Sequence, residues 1–166
     1  MKVIKTEIAE LQQYSRINNL EISNLPETEN ENITEVLTSV FKCLNVNVLD
    51  KISVAHRVPT LNKSKPKPII VQFVSRESKD MCLKAAKTKK ITASQVDARN
   101  KNMPVYLNEH LIPSLKELFF HCRKFKNENN FKFAWVKNGK IFIRKNENSR
   151  VIRIVNVDDL LNVNTN

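Results

Sequence analysis

Aromatic and basic side chains alternate through FKFAWVKNGKIFIRK, residues 131–145, on either side of Asn138-Gly139. Asn-Gly between two alternating runs predicts a two-residue type I′ hairpin turn, and the only glycine of the chain sits where a positive φ is required. A two-residue turn fixes the register: Lys137 opposite Lys140, Val136 opposite Ile141, Trp135 opposite Phe142, Ala134 opposite Ile143, Phe133 opposite Arg144. One face then shows Ala134, Val136, Ile141 and Ile143, a core face. The other shows Phe133, Trp135, Phe142 and Arg144, with Lys137 and Lys140 at the tip. Rings among cations are what single-stranded nucleic acid needs, because bases stack on rings at about 1–3 kcal/mol each while cations hold the phosphates. The same rings also suit packing beneath a helix or against the rest of the chain. The pattern alone leaves both readings open.

Other chemistry finds no support in the sequence. One glycine in 166 residues excludes phosphate loops of the Walker and dinucleotide types, which need two or three. His56, His110, His121, Cys43, Cys82 and Cys122 show no paired spacing for zinc, and adjacent His121 and Cys122 diverge on a helix. Asp158 and Asp159 read as a helix cap, and Glu109-His110 has no nucleophile at a readable distance. The expectation is a non-enzyme with no metal, cofactor or small-molecule substrate. No apolar run reaches the roughly 18 residues of a membrane span, and the charged first residues do not form a secretory signal. An odd number of cysteines without a CxxC suits reduced thiols in an intracellular protein. The loop NKSKPK (Asn62–Lys67) is too weak a basic cluster to decide between nucleus and cytoplasm.

Charge narrows the partner. The net charge is +11, but residues 1–55 hold 5 Lys/Arg against 8 Asp/Glu, while residues 56–166 hold 23 against 9. A polyanion suits the second stretch, since each neutralised phosphate releases counterions. AT-rich coding sequence would also produce 20 lysines and 21 asparagines in a merely soluble chain.

These residues must be positioned by a framework. Residues 1–15 predict a short helix whose Met1, Ile4, Ile8 and Leu11 follow coiled-coil spacing, as the end of a coiled coil or as a frayed amphipathic end. Leu20, Ile22 and Leu25 predict a strand that stops at Pro26. Asn32 caps a helix with Glu35 three residues on and a stripe of Ile33, Val36, Leu37, Val40, Phe41 and Leu44. Residues 50–58 and 68–74 predict two further strands. Ser75 then caps a helix that buries Met81, Cys82, Ala85 and Ala86, with Lys87, Lys89 and Lys90 suiting its C-terminal dipole. Residues 91–102 read as polar loop and 105–108 as a fourth strand. The order β-α-β-β-α-β is the ferredoxin-like unit, both helices on one face of an antiparallel sheet. After it come a helix begun by Pro113, whose apolar side runs Leu111, Leu115, Leu118, Phe119, Cys122 and Phe125 or Lys126, then the hairpin, a strand over 151–155, and a short helix capped by Asp158 or Asp159.

Two passages resemble known families. Arg16–Glu27 (RINNLEISNLPE), with His56–Val58, Pro68–Phe73 and Lys79–Lys87, resembles the RRM-like domain of LINE-type retrotransposon first-open-reading-frame proteins. Tyr106–Leu111, Leu118-Phe119, Cys122-Arg123, Phe131–Ile154 and Asp159–Leu161 resemble the C-terminal domain of the baculovirus few-polyhedra (FP) protein and its insect relatives. The resemblance implies an α+β chain of three parts: the end of a coiled-coil helix (1–15), an RRM-like domain (16–108) and a small FP-type C-terminal domain (109–166). It also implies self-association through the coil and single-stranded RNA binding by basic residues in a cleft between the domains. Glu21 stands where an RRM usually carries a stacking aromatic, and Pro68 and Ile70 where the third strand should carry its own. A carboxylate repels phosphate, so the sheet face of this unit is not expected to be the platform.

The leading reading is therefore non-catalytic binding of single-stranded RNA or DNA, mostly through phosphates, in a basic cleft between the RRM-like unit and the C-terminal hairpin. Its expected residues are Arg57, Lys63, Lys65, Lys67, Arg123, Lys124, Lys126, Lys137, Lys140 and Arg144, with Trp135 as the ring. The other reading is a protein-interaction module or scaffold assembled through Ile4, Ile8 and Leu11.

Overall fold

The computed structural model describes residues 1–163. Asn164–Asn166, the end of the expected C-terminal domain, lie outside the described residues. The fold is α+β and divides into two compact units, Asn18–His110 and a second in which Met1–Ile17 joins the chain from Leu111 onward. In chain order the elements are α1 (Lys2–Tyr14), β1 (Asn19–Ser23), α2 (Ile33–Leu44), β2 (Ile52–Arg57), β3 (Ile69–Phe73), α3 (Arg76–Thr88), β4 (Ile91–Thr92), α4 (Ala93–Val96), β5 (Pro104–Glu109), α5 (Pro113–Glu128), β6 (Phe133–Lys137), β7 (Lys140–Arg144), β8 (Ile152–Ile154) and α6 (Val157–Leu161). Among the described residues no helix is long and apolar enough to cross a membrane.

The larger unit is a five-stranded sheet of order β2-β3-β1-β5-β4, antiparallel at every pairing. Its core joins Leu20 and Ile22 of β1, Val71 and Phe73 of β3, Leu37, Val40 and Phe41 of α2, and Cys82 of α3. Residues on the helix side alternate with residues on the other side, as the period of two requires. The expected cap holds: Asn32 Oδ1 accepts the Thr34 amide at 3.0 Å and the Glu35 amide at 3.4 Å.

Four expectations for this unit are corrected. Residues 91–102 are not all loop: Ile91 and Ala93 enter the core through β4 and α4, and the Gln95 side chain accepts the Thr92 amide at 2.9 Å. The elements span two and four residues, too few for a period to show in sequence. Leu49–Lys51 forms a 3₁₀ turn before β2, so the strand begins later than Asp50. The fourth strand is longer than expected, Pro104–Glu109. Met81 is exposed, because α3 turns Ser78, Lys79 and Cys82 inward instead.

The smaller unit is a three-stranded sheet, β6-β7-β8, with α5 and α6 on one face. Its core is Leu118 and Cys122 of α5, Ile141 and Ile143 of β7, Ile154 of β8, Phe131 and Leu160. The cap of α6 is Asn156 and not either aspartate. Asn156 Oδ1 accepts the Asp159 amide at 3.1 Å, and Asp159 Oδ2 accepts the amides of Asn156 at 3.1 Å and Val155 at 2.7 Å. Asp159 is thus the third helical residue of a reciprocal capping pair.

The end of α1 fastens to this unit. Gln13 Oε1 accepts the amide of Ile112, the residue capping α5, at 2.9 Å, and Arg16 Nη1 donates to the Leu111 carbonyl at 3.2 Å. Met1, Ile4, Ile8 and Leu11, the residues with coiled-coil spacing, are all exposed.

One conformational habit serves both units. Every described non-glycine residue with positive φ is an asparagine: Asn24, Asn30, Asn45, Asn130 and Asn138. Asparagine tolerates the left-handed region better than other residues with a Cβ, so it does what glycine does elsewhere.

Candidate nucleic-acid interface

The hairpin register matches the sequence expectation pair for pair, from Phe133 opposite Arg144 to Lys137 opposite Lys140. Asn138 and Gly139, at φ 51° and 71°, make the turn. Gly139 has a second reason to be glycine, since a Cβ there would stand 2.5 Å from Cγ of Gln13.

Of the two hairpin faces, one is buried against α5: Ile141 and Ile143 are sealed, and Ala134 and Val136 pack on them. The other holds Phe133, Trp135, Phe142 and Arg144, all half-buried. Trp135 and Phe142 stack, with ring centroids 5.6 Å apart and planes at 26°. The third strand adds a cation that sequence reasoning missed. Arg153 pairs with Phe142, so one row across the sheet reads Trp135, Phe142, Arg153. Arg153 is exposed, as are the tip lysines Lys137 and Lys140. The missing signal was the pairing of β8 with β7, which no turn fixes because the 145–151 connection has no definite length rule.

The other expected cations divide between the two units. Arg123 and Lys124 lie on the outer side of α5, and α5 covers the core face of the sheet, so they point away from the row of rings. Arg123 sits over the Phe119 ring at 5.2 Å, and Lys124 pairs with Glu128 at 3.9 Å. Lys126 is half-buried on the same helix. Arg144 donates Nε to the Ser149 carbonyl at 2.7 Å and Nη2 to the Glu147 carbonyl, closing the loop after β7.

In the larger unit, Lys63, Lys65 and Lys67 are exposed on the loop between β2 and β3, Lys67 at 4.0 Å from Glu27. Arg57 is bonded within the fold. Its Nη2 meets Glu31 at 2.6 Å, and the guanidinium also donates to the carbonyls of Leu25, Pro26 and Lys67. With its side chain only 12% exposed, it clamps the loop after β1 to the end of β2.

The face of the larger sheet away from the helices carries different chemistry. Its central row runs His56, Ile70, Glu21, Asn108. One ring, Tyr106, stands exposed beside Ser23 at the end of the face. Ile70 and Glu21, at the centre of the row, are both buried.

Two buried features answer to stability instead of binding. Lys79, 1% exposed, donates to Glu109 Oε1 at 3.0 Å. Burial pushes the Cys82 thiol up to about 12, and burial with the nearby Asp159 charge pushes Cys122 up to about 11. These are unreactive thiols. Among the described residues, no group of three or more His, Cys, Asp or Glu is placed to hold a metal ion.

Residues 112–164 match the family model of Baculovirus FP protein domain 2. The match covers the C-terminal part of the chain and begins at the residue that Gln13 engages. No curated protein matches the chain.

Proposed function

We propose that the chain is a non-catalytic module binding single-stranded RNA or DNA, and that binding centres on the outer face of the β6-β7-β8 sheet. The observation that carries this is the half-buried stacked pair Trp135–Phe142 with Arg153 next in the row and Lys137 and Lys140 at the tip. Half-exposed rings offer a π-face to any base, and the cations offer phosphate contacts that read no sequence. The high positive charge after residue 55 supports the same reading. Strand order β2-β3-β1-β5 with α2 and α3 in the crossovers supports reading residues 18–110 as RRM-like, as the LINE-type resemblance implies. The family match supports an FP-type smaller unit.

The test is a salt series with single-stranded RNA, single-stranded DNA and a duplex of equal length. Affinity for the single strands falls steeply with salt, and Lys137→Ala with Lys140→Ala lowers the slope by about 1.4, at roughly 0.7 per lost contact. A flat salt response by the wild-type chain overturns the reading.

A second reading, assembly through α1, has its own observation: Met1, Ile4, Ile8 and Leu11 form an uncovered apolar stripe. Sedimentation of the full chain against Ile4→Glu with Ile8→Glu decides it, since only an assembled wild type loses mass.

A further inference from the structure

Beside the edge strand β8 lies a cavity of about 570 Å³, within the range of small-molecule sites. Phe131, Ile152 and Val155 give it an apolar floor, Arg150 and Arg153 stand on the strand side, and Asp159 stands on the side of α6. We infer that this cavity is a nucleotide subsite continuing the stacked row, with a phosphate between Arg150 and Arg153. The inference rests on the proposed function and names where the strand goes next.

Three observations carry it. Arg153 belongs to both places: it follows Phe142 in the row across the sheet and lines the cavity. A strand whose bases lie on Trp135 and Phe142 therefore meets that guanidinium at the next phosphate. Next, Arg150 and Arg153 are both exposed, and neither has a hydrogen-bonding or ionic partner among the described residues. By contrast Arg57 and Arg144 are bound into the fold. Finally, the cavity is polarised. Asp159 takes two backbone amides on Oδ2, which leaves Oδ1 to accept from a sugar hydroxyl or a base amino group. A lining that combines cations, a carboxylate acceptor and apolar side chains matches a nucleotide better than a bare anion. An acidic peptide lying along β8 would use the arginines but would place its carboxylates near Asp159.

The decisive variant is Arg150→Glu in the full chain, because Arg150 is exposed, lies outside the regular elements and has no hydrogen-bonding or ionic partner among the described residues. The probe is an eight-nucleotide oligouridylate, read by anisotropy for affinity and by emission of Trp135, the sole tryptophan, for stacking. Losing one phosphate contact on a single strand costs about fivefold at ~0.1 M salt, so the variant weakens binding by at least that factor and flattens the salt slope by about 0.7 or more. Trp135 quenching at saturation stays as in wild type, because the rings are untouched. Wild-type affinity and slope in the variant overturn the subsite and leave the proposed function standing. Failure of the wild-type chain to bind the oligonucleotide overturns both. Retained RNA binding with loss of binding to a deca-glutamate peptide assigns the cavity to acidic peptides and also overturns the inference.

Discussion

Across the middle of the larger sheet the row away from the helices runs His56, Ile70, Glu21, Asn108; across the smaller it runs Trp135, Phe142, Arg153. Both rows arise the same way. An antiparallel sheet buries alternate residues under helices and gives the intervening ones to its other face. The architecture is shared, and the chemistry is not. One centre holds Ile70 and Glu21, both buried, and the other holds two half-buried stacked rings with a guanidinium next in the row. The residues on the non-core period set the chemistry of each outer face, and the fold class is silent on it.

The two units also differ in how they are held. The larger has an extensive apolar core with one ion pair sealed inside it; the smaller has a thin core, a tight turn and the side chain of Gln13 packed at that turn. The largest expected effect breaks this contrast. Lys79→Ala removes the cation that faces buried Glu109 and costs about 3–5 kcal/mol in urea unfolding of the larger unit. Lys79→Met with Glu109→Leu recovers most of that loss, because a buried pair adds little over packed apolar groups. If Lys79→Ala unfolds at the wild-type midpoint, the pair is not what it looks like.

Next in size is the contrast between sheet faces. Trp135→Ala lowers affinity for single-stranded RNA by about 1–3 kcal/mol, roughly five- to 150-fold. Tyr106→Ala, which removes the exposed ring of the other sheet, changes affinity less than about twofold. Equal losses in a filter-binding comparison would erase the distinction between the two sheet faces.

A smaller effect sharpens the account of the turn. Gly139→Ala puts a Cβ at positive φ, for about 1–2 kcal/mol, and presses it on Gln13. Adding Gln13→Ala relieves the contact but not the backbone strain, so a double-mutant cycle followed by Trp135 emission reports a coupling of a few tenths of a kcal/mol or more.

The smallest effects concern the thiols, one buried in each unit. At pH 8 a maleimide modifies Cys43 first, while Cys82 and Cys122 stay unmodified until the chain unfolds. Both buried thiols have folded values above the unfolded one of about 8.5, so their contribution is intact below that pH and is lost as pH rises toward 11 and 12. Rising stability between pH 9 and 11 would contradict their burial.

Local signals proved legible where a short segment carries its own constraint. Asn32 announced its helix, Pro113 began another, and Asn138-Gly139 set every pair of the hairpin. Long-range choices did not announce themselves. Nothing in the helix Arg76–Thr88 says that Lys79 turns inward while Met81 turns out, because the reason is Glu109, thirty residues away. Gln13 is an unremarked helical glutamine until Ile112 supplies its amide.

The amino-acid order by itself determined the hairpin turn, the cap of α2, the alternation of faces and the excess of positive charge, since each depends on neighbours within a few residues. It also set asparagine where glycine was absent, at five positions of positive φ. Only the tertiary structure decided which cations are free. Arg57 is clamped by Glu31, Arg123 and Lys124 face away from the rings, and Arg153 joins Phe142 through the pairing of β8 with β7. The physical reason is that a guanidinium carries the same charge in any sequence context, while its partners come from strands and loops that only folding brings within 3 Å.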